Sequence, residues 1–485
     1  MSSLQGRGTD GHRAPAAQGD LLGATEPGDG PEDAAGVRAA AEAVGTADRA
    51  FASWSAMAPV ERSAVFLQAA HLLLRRTDKI VDVMAAEVGA RAPWAAFQTK
   101  LAAQLMIEAA ASVTRPNGQV TPTETPGACS LRVRVPVGVV AAVTPWTSSV
   151  LLGVRALALP LALGDTVVLK PSESTPLSGG LVLQEVWEEA GLPHGVLNVV
   201  THGPDEAADV TRRLVTDPRV RAVSFTGSTA VGRAVGMEAA RNLKPAVLEL
   251  GGKNSLLVLQ DADVDYAVDT AIVGSFLNAG QSCLSTDRII VHRALADRFL
   301  AVLAARVPAL PRQGPGWPAE ADGRIVHAGT AQRVSALVTD ALAKGATAVT
   351  GTGAVEGNGT LIAPVVLTGL TPRMDMWSEE IFGPAVAVHV ADCTDEAVAL
   401  ASGPPRGLTA GVVTGDWATG VAVARRLRAD AVHVNNRSIT DGIQAPFGGI
   451  RESGFGRFGS SAGTDAFTET RWITLGAEGR PAFPL

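Results

Sequence analysis

Val220-Arg-Ala-Val-Ser-Phe-Thr-Gly-Ser-Thr-Ala-Val-Gly232 is the stretch on which the reading of this chain turns. Its first half is a short apolar run with the composition of a buried strand. Thr226-Gly-Ser interrupts the run, and a helical stretch, Thr229–Arg241, follows. Glycine at such a junction allows close approach to the backbone. Ser228 or Thr229 can cap the helix and leave N–H groups and the positive end of the helix dipole free for an anion. The same residues also fit an ordinary strand-to-helix turn that binds nothing.

The neighbouring sequence repeats the pattern. Apolar runs at 137–143, 166–169, 196–200, 220–225 and 246–250 are mostly separated by segments of helix length. A second set, at 255–259, 288–291, 347–350 and 385–390, surrounds helical stretches at 263–278 and 330–344. Strands alternating with helices predict parallel, doubly wound sheets. The expected fold is therefore α/β, with two doubly wound domains. From Ala35 to about Val113 the pattern is helical, with a helix start at Pro59. Residues 131–135 alternate apolar and polar, as in a half-exposed strand whose edge invites pairing with another subunit. A last short strand is expected at 471–475. These elements divide the chain into a mobile tail at 1–35, one domain at 36–116 and 137–250, and a second at 251–452. A small β element is expected from 117–136 and 453–485.

Composition agrees with a globular protein. At roughly 150 residues per domain, 485 residues predict about three units. Hydrophobic residues make up 46% and charged residues 18%, and the net charge of −7 leaves no basic face for nucleic acid or an anionic membrane. The most apolar stretch, 150–169, is broken by Arg155, Pro160 and Asp165 and does not read as a membrane span. The polar N-terminus argues against a signal peptide. Cys129, Cys283 and Cys393 are too few and too far apart for a disulfide framework, and no residues have metal spacing. A cytoplasmic location is expected.

Further motifs carry potential chemistry. Gly454-Phe-Gly-Arg-Phe-Gly459 has the dinucleotide spacing, but only 26 residues follow it, too few for the βαβ unit that gives the motif meaning. Close packing of backbone segments is its expected role. Lys170 and Glu173 follow a strand, where ligands bind in open α/β sheets, although an exposed ion pair explains them equally well. Cys283 is either a buried small hydrophobe or a nucleophile, and no histidine is near it in sequence. Glu249-Leu-Gly-Gly-Lys253 places a carboxylate at a strand end beside two glycines, a candidate base.

Thr144-Pro-Trp146, Lys170-Pro-Ser-Glu173, Phe225-Thr-Gly-Ser-Thr229, Glu249-Leu-Gly-Gly-Lys253, Gly280-Gln-Ser-Cys283, Glu379-Glu-Ile-Phe-Gly-Pro384 and Pro446-Phe-Gly-Gly449 follow one another in that order. Together they resemble the NAD(P)-dependent aldehyde dehydrogenase superfamily, and 150–170, 284–288, 447–459 and 468–474 are similar to its salicylaldehyde and vanillin branch. The resemblance implies that Cys283 attacks an aldehyde, that hydride passes to nicotinamide, and that Glu249 activates water to release the acid from a thioester. It makes 36–116 and 137–250 the NAD-binding domain, 251–452 the catalytic domain and the small β element an oligomerisation unit. It places Thr144, Pro145, Trp146, Lys170, Ser172, Glu173, Phe225, Thr226, Gly227, Ser228, Val231, Gly232, Leu250, Glu380 and Phe382 at the cofactor. The cofactor is NAD by the carboxylate of Glu173, with NADP as the alternative left open by Lys170.

The same resemblance favours an aromatic aldehyde and implies a substrate site at Leu152, Arg155, Leu284 and Phe447. Leu152 and Arg155 are three apart on an expected helix and share a face. Arg155 either meets a ring substituent or makes a structural salt bridge. Thr147 stands where the family usually has an asparagine that helps stabilise the oxyanion; losing one such donor typically costs about 10²–10³ in rate. The alternatives to an aromatic aldehyde dehydrogenase are an aliphatic or semialdehyde enzyme and a weakly active homologue serving as a binding subunit. A homodimer or homotetramer is expected, with no nucleic-acid or membrane partner.

Overall fold

The computed structural model describes residues 34–115, 118–124, 128–312, 324–357 and 359–476. The tail expected at 1–35 lies outside them, except that Ala35 already opens the helix Ala35–Ala56.

Two parallel sheets organise the molecule. The first runs in the order Gly454–Phe455, Ala246–Glu249, Val220–Thr226, Val139–Val143, Thr166–Lys170, Leu197–Val199, with only Gly454–Phe455 antiparallel. Val139–Val143 sits between strands that come later in the chain on both sides. The sheet therefore has a topological switch point, where a crevice forms at the carboxyl ends of the strands. Five apolar runs, including fully buried Val139–Val143 and Thr166–Lys170, read as continuous hydrophobic strands because helices cover both faces. One cover is the helix Ser149–Leu163, buried nearly throughout.

The second sheet runs Thr347–Thr350, Val365–Thr368, Ala385–Ala391, Thr286–His292, Asn254–Val258, Thr409–Val413, Ala431–Val434. All its pairs are parallel except the one made by Thr347–Thr350. Its strands at Val365–Thr368, Thr409–Val413 and Ala431–Val434 were not expected from sequence. Among the described residues no helix is long and apolar enough to cross a membrane.

The small sheet corrects two expectations. Residues 131–135 do not form an exposed edge: Cys129–Pro136 is the central strand, paired with Gly118–Pro122 on one side and Thr468–Leu475 on the other. The alternating pattern reports that one face is wet, not whether the strand's edges are paired. The segment expected to join this element from 453 onward also divides. Gly454–Phe455 pairs instead with Leu248 and Glu249 of the first sheet, and Thr468–Leu475 alone enters the small one. The glycines explain the division: a Cβ on Gly454 would lie 1.8 Å from the Leu248 carbonyl oxygen. Gly454-Phe-Gly-Arg-Phe-Gly459 thus closes backbone against backbone.

Candidate active site and cofactor crevice

Glu249 ends a strand of the first sheet and Asn254 begins a strand of the second, so Leu250-Gly-Gly-Lys253 is the bridge between the domains. Cys283 lies in the turn just before Thr286–His292, the strand beside Asn254–Val258. Two residues of that approach, Asn278 and Ala279, have φ of 51° and 53°. Non-glycine residues adopt this region only when their surroundings enforce it.

Asn278 is tied to Gln281, donating to its carbonyl oxygen at 3.2 Å and accepting from its side-chain amide at 3.1 Å, and the turn that follows is held by Asn254. Its side-chain amide donates to the carbonyl oxygens of Cys283 at 2.7 Å and Ser285 at 2.8 Å, while its Oδ1 accepts from the Thr409 N–H at 3.1 Å. Gly252 makes the packing possible, since a Cβ there would approach the Cys283 carbonyl oxygen to 2.7 Å. Among the described residues none accepts the Cys283 N–H, which leaves it available to an oxygen beside Sγ.

Cys283 borders a cavity of about 430 Å³. Thr147, Leu152, Arg155, Leu284 and Phe447 line it too, so the structure brings the sequence-derived substrate residues together around the thiol. Trp94, Phe97 and Asp441 are among the further lining residues that were missed from sequence. Trp94 and Phe97, with ring centroids 5.7 Å apart, are three residues apart on one helix face, a legible signal. Asp441 had none. Arg155 is ion-paired with Asp441 and lies 3.9 Å from the centroid of the Phe447 ring. Arg155 therefore makes a salt bridge, as one of its two readings expected, and also lines the cavity.

Electrostatics single out the same residues. Burial pushes the Glu249 carboxyl up to about 8, with Arg155 and Arg457 opposing the rise. Its Oε1 is enclosed without a hydrogen-bond partner. Burial pushes the Cys283 thiol up to about 12, helped by the Glu249 and Glu380 carboxylates. Its Sγ surroundings are interior, although the residue keeps some surface in the cavity.

The crevice of the first sheet gathers the cofactor candidates. Ser228 caps the helix Thr229–Arg241 by accepting from Val231 N–H at 3.3 Å, and the Gly227 N–H donates to Glu249 O at 2.9 Å. A Cβ on Gly232 would lie 2.1 Å from Leu250, so the helix start packs directly on the bridge. Thr144 and Lys170 stand at neighbouring strand ends, joined by Thr144 N–H to Lys170 O at 3.1 Å. Burial lowers the Lys170 ammonium to about 8 against the pull of Glu173. Ser172 donates to the Glu173 carboxylate at 3.2 Å. Trp146 packs edge-on against Phe382, with centroids 5.9 Å apart. Phe225 is buried beneath the turn, whereas Thr226 and Pro145 are partly open to the crevice.

On the opposite wall Glu380 accepts from the Gly252 N–H at 3.2 Å, and burial, then Asp287, pushes its carboxyl up to about 7. Arg333 fixes this segment by donating to Glu380 O at 2.9 Å and Ile381 O at 2.6 Å. The buried Thr144 and Ser224 hydroxyls have no partner. Unpartnered hydroxyls, a partly desolvated lysine and a capped helix start fit an anionic ligand rich in hydroxyl groups.

Comparison with known proteins agrees with this geometry. The model of the aldehyde dehydrogenase family matches residues 32–473. This chain belongs to that family. The enzyme is 43% identical to a vanillin dehydrogenase of Pseudomonas fluorescens over 89% of each chain. It is 36% identical to an NAD(+) benzaldehyde dehydrogenase of Pseudomonas putida over 97% of this chain and 94% of that one. A crystal structure of a salicylaldehyde dehydrogenase from Pseudomonas putida G7, complexed with salicylaldehyde, superposes with a TM-score of 0.88. The two share 36% identity over 93% of this chain and 92% of the other. The enzyme is thus an NAD(P)-dependent aldehyde dehydrogenase with the two-domain α/β fold of its family.

Proposed function

We propose that the enzyme oxidises an aromatic aldehyde to its carboxylic acid with NAD. The carrying observation is the cavity above Cys283. Its volume admits an aromatic aldehyde, and Trp94, Phe97 and Phe447 offer the faces and edges that rings prefer. The relatives named for vanillin, salicylaldehyde and benzaldehyde support the same class.

The roles follow from position. Cys283 gives up its thiol proton to water in the cavity as Sγ bonds to the carbonyl carbon, and the oxyanion so formed takes a hydrogen bond from the free Cys283 N–H, with Thr147 in the cavity wall beside it. NAD, when bound, supplies the hydride acceptor. The acyl group left on Cys283 is a thioester, and Glu249 takes a proton from the water that hydrolyses it, restoring the thiol. Lys170, Glu173 and Ser172 hold the adenosine ribose, Gly227, Ser228, Val231 and Gly232 the pyrophosphate, and Glu380 the nicotinamide ribose. The Glu173 carboxylate opposes a 2′-phosphate and so favours NAD.

The subunit self-associates through the small sheet. The support is an edge strand, Thr468–Leu475, that exposes Trp472 and Leu475, together with the exposed Val120 on the opposite edge strand. Cys129, Cys283 and Cys393 are all free, in keeping with a reducing cytoplasm. NADH formation measured with benzaldehyde, vanillin, salicylaldehyde and aliphatic aldehydes tests the function, with Cys283→Ala as the blank. Higher kcat/KM for the aromatic set is expected. Preference for aliphatic aldehydes overturns the substrate class. NAD binding without turnover of any aldehyde favours a binding subunit.

A further inference from the structure

Asp287 stands on the strand Thr286–His292, four residues beyond Cys283, and is buried. A carboxylate without partners is costly in such a place. Asp287 has two. Its Oδ2 lies 3.2 Å from Lys253 Nζ and accepts from the Ile381 N–H at 3.0 Å. The Lys253 side chain is 0% exposed and that of Asp287 5%. Among the described residues the Lys253 ammonium has no hydrogen-bond partner besides this ion pair.

These contacts join three segments around the reacting atoms. Lys253 ends the bridge between the domains, and Asn254, directly after it, donates to the Cys283 and Ser285 carbonyls. Adjacent residues therefore grip the nucleophile turn and, through Asp287, the segment 380–382. Ile381 is held on both sides, its N–H by Asp287 and its carbonyl by Arg333 at 2.6 Å. Phe382 follows with φ of 51°, which a bulky residue keeps only when its surroundings impose it. Glu380 precedes, and its Oε1 accepts from the Gly252 N–H at 3.2 Å. A Cβ on Gly251 would lie 2.1 Å from Glu380 Oε2, so the bridge leaves this carboxylate little room.

We infer that Asp287, paired with Lys253, is a positioning residue that keeps Glu380 and Phe382 in register with Cys283 Sγ. The inference rests on the reading that Glu380 and Phe382 hold the nicotinamide end of NAD, and it says what holds them. Reaction across the crevice tolerates little misplacement, since about 1 Å can cost about 10²-fold in rate. The adenosine half of the cofactor site, at Lys170 and Glu173, makes no contact with Asp287.

Removing one member of a buried ion pair disfavours folding, whereas replacing both by apolar groups is often neutral. The test therefore uses Lys253→Met/Asp287→Leu. Lys253→Met/Asp287→Asn, which keeps the shape and an acceptor for the Ile381 N–H but loses the ion pair, is the second variant. One readout divides the rate of NADH formation in a single turnover of benzaldehyde by the rate of p-nitrophenyl acetate hydrolysis without NAD. The ester needs Cys283 and Glu249 but not the nicotinamide wall. The other readout is the dissociation constant of ADP divided by that of NAD, by calorimetry, which needs no turnover. ADP lacks the nicotinamide end. Both ratios are expected to fall, by about tenfold or more with leucine and about threefold with asparagine. A purely structural role lowers stability and all rates together and leaves both ratios in place. Unchanged ratios in a variant with native circular dichroism overturn the inference. Inactivity of wild type on every aldehyde, with the ratio of dissociation constants still lowered, overturns the proposed function and upholds the positioning role.

Discussion

Replacing Glu249 by glutamine tests the electrostatics of the site most directly. Burial raises this carboxyl from 4.5 to about 8. About one molecule in eleven then carries the carboxylate at pH 7 and about ten in eleven at pH 9, roughly a tenfold rise in available base. The step limited by water activation should rise by the same factor with a midpoint near pH 8. Stability follows the opposite course. The folded state keeps the Glu249 proton between pH 4.5 and 8 while the unfolded chain has lost it, so this group's contribution falls as pH rises through that window. That rise corresponds to at most about 5 kcal/mol. Single-turnover release of acid from the acylated enzyme, followed from pH 6 to 9.5, reads the first effect. Urea midpoints over the same range read the second. Glu249→Gln should abolish the inflection near pH 8 and flatten the decline in stability. A variant that keeps both would refute the assignment of base and burial to Glu249.

Thr147→Asn should raise kcat on a good aromatic substrate, by up to about 10²–10³ if the longer amide completes the oxyanion site; steady-state kinetics showing an equal or lower kcat counts against this. Asn254→Ala removes the donors to the Cys283 and Ser285 carbonyls, at about 1–3 kcal/mol for each buried group left unpaired; thermal melting should show the loss, and kcat should fall while NAD affinity holds. Gly454→Ala puts a Cβ against the Leu248 carbonyl at φ of 116°, which should lower the denaturant-derived stability by about 2–4 kcal/mol.

The strands that sequence revealed are mostly short, largely apolar runs set off by segments of helix length, such as Val139–Val143 and Thr166–Lys170. Thr409–Val413 escaped because Gly411 interrupts it, yet packing demands that glycine: a Cβ would lie 2.7 Å from Leu256. Val365–Thr368 and Ala431–Val434 were missed although each resembles runs that were read as strands. At the site, motif residues were legible because their chemistry is tied to fixed local spacing. Asp441 and Arg333 act through side chains that fold back from distant loops and helices, and no local pattern marks them. Asn254 adjoins a recognised motif, but its partners, Cys283, Ser285 and Thr409, are 29 to 155 residues away.

The bridge Leu250-Gly-Gly-Lys253 gives the enzyme a built-in gauge of its own architecture. The proposed base ends a strand of one sheet and the proposed nucleophile lies just before a strand of the other, so neither domain alone contains the pair. Turnover therefore measures the alignment of two bodies, and small rotations far from the cavity register as lost rate before any strand melts. Denaturant below the unfolding transition should silence the enzyme while its circular dichroism stays native.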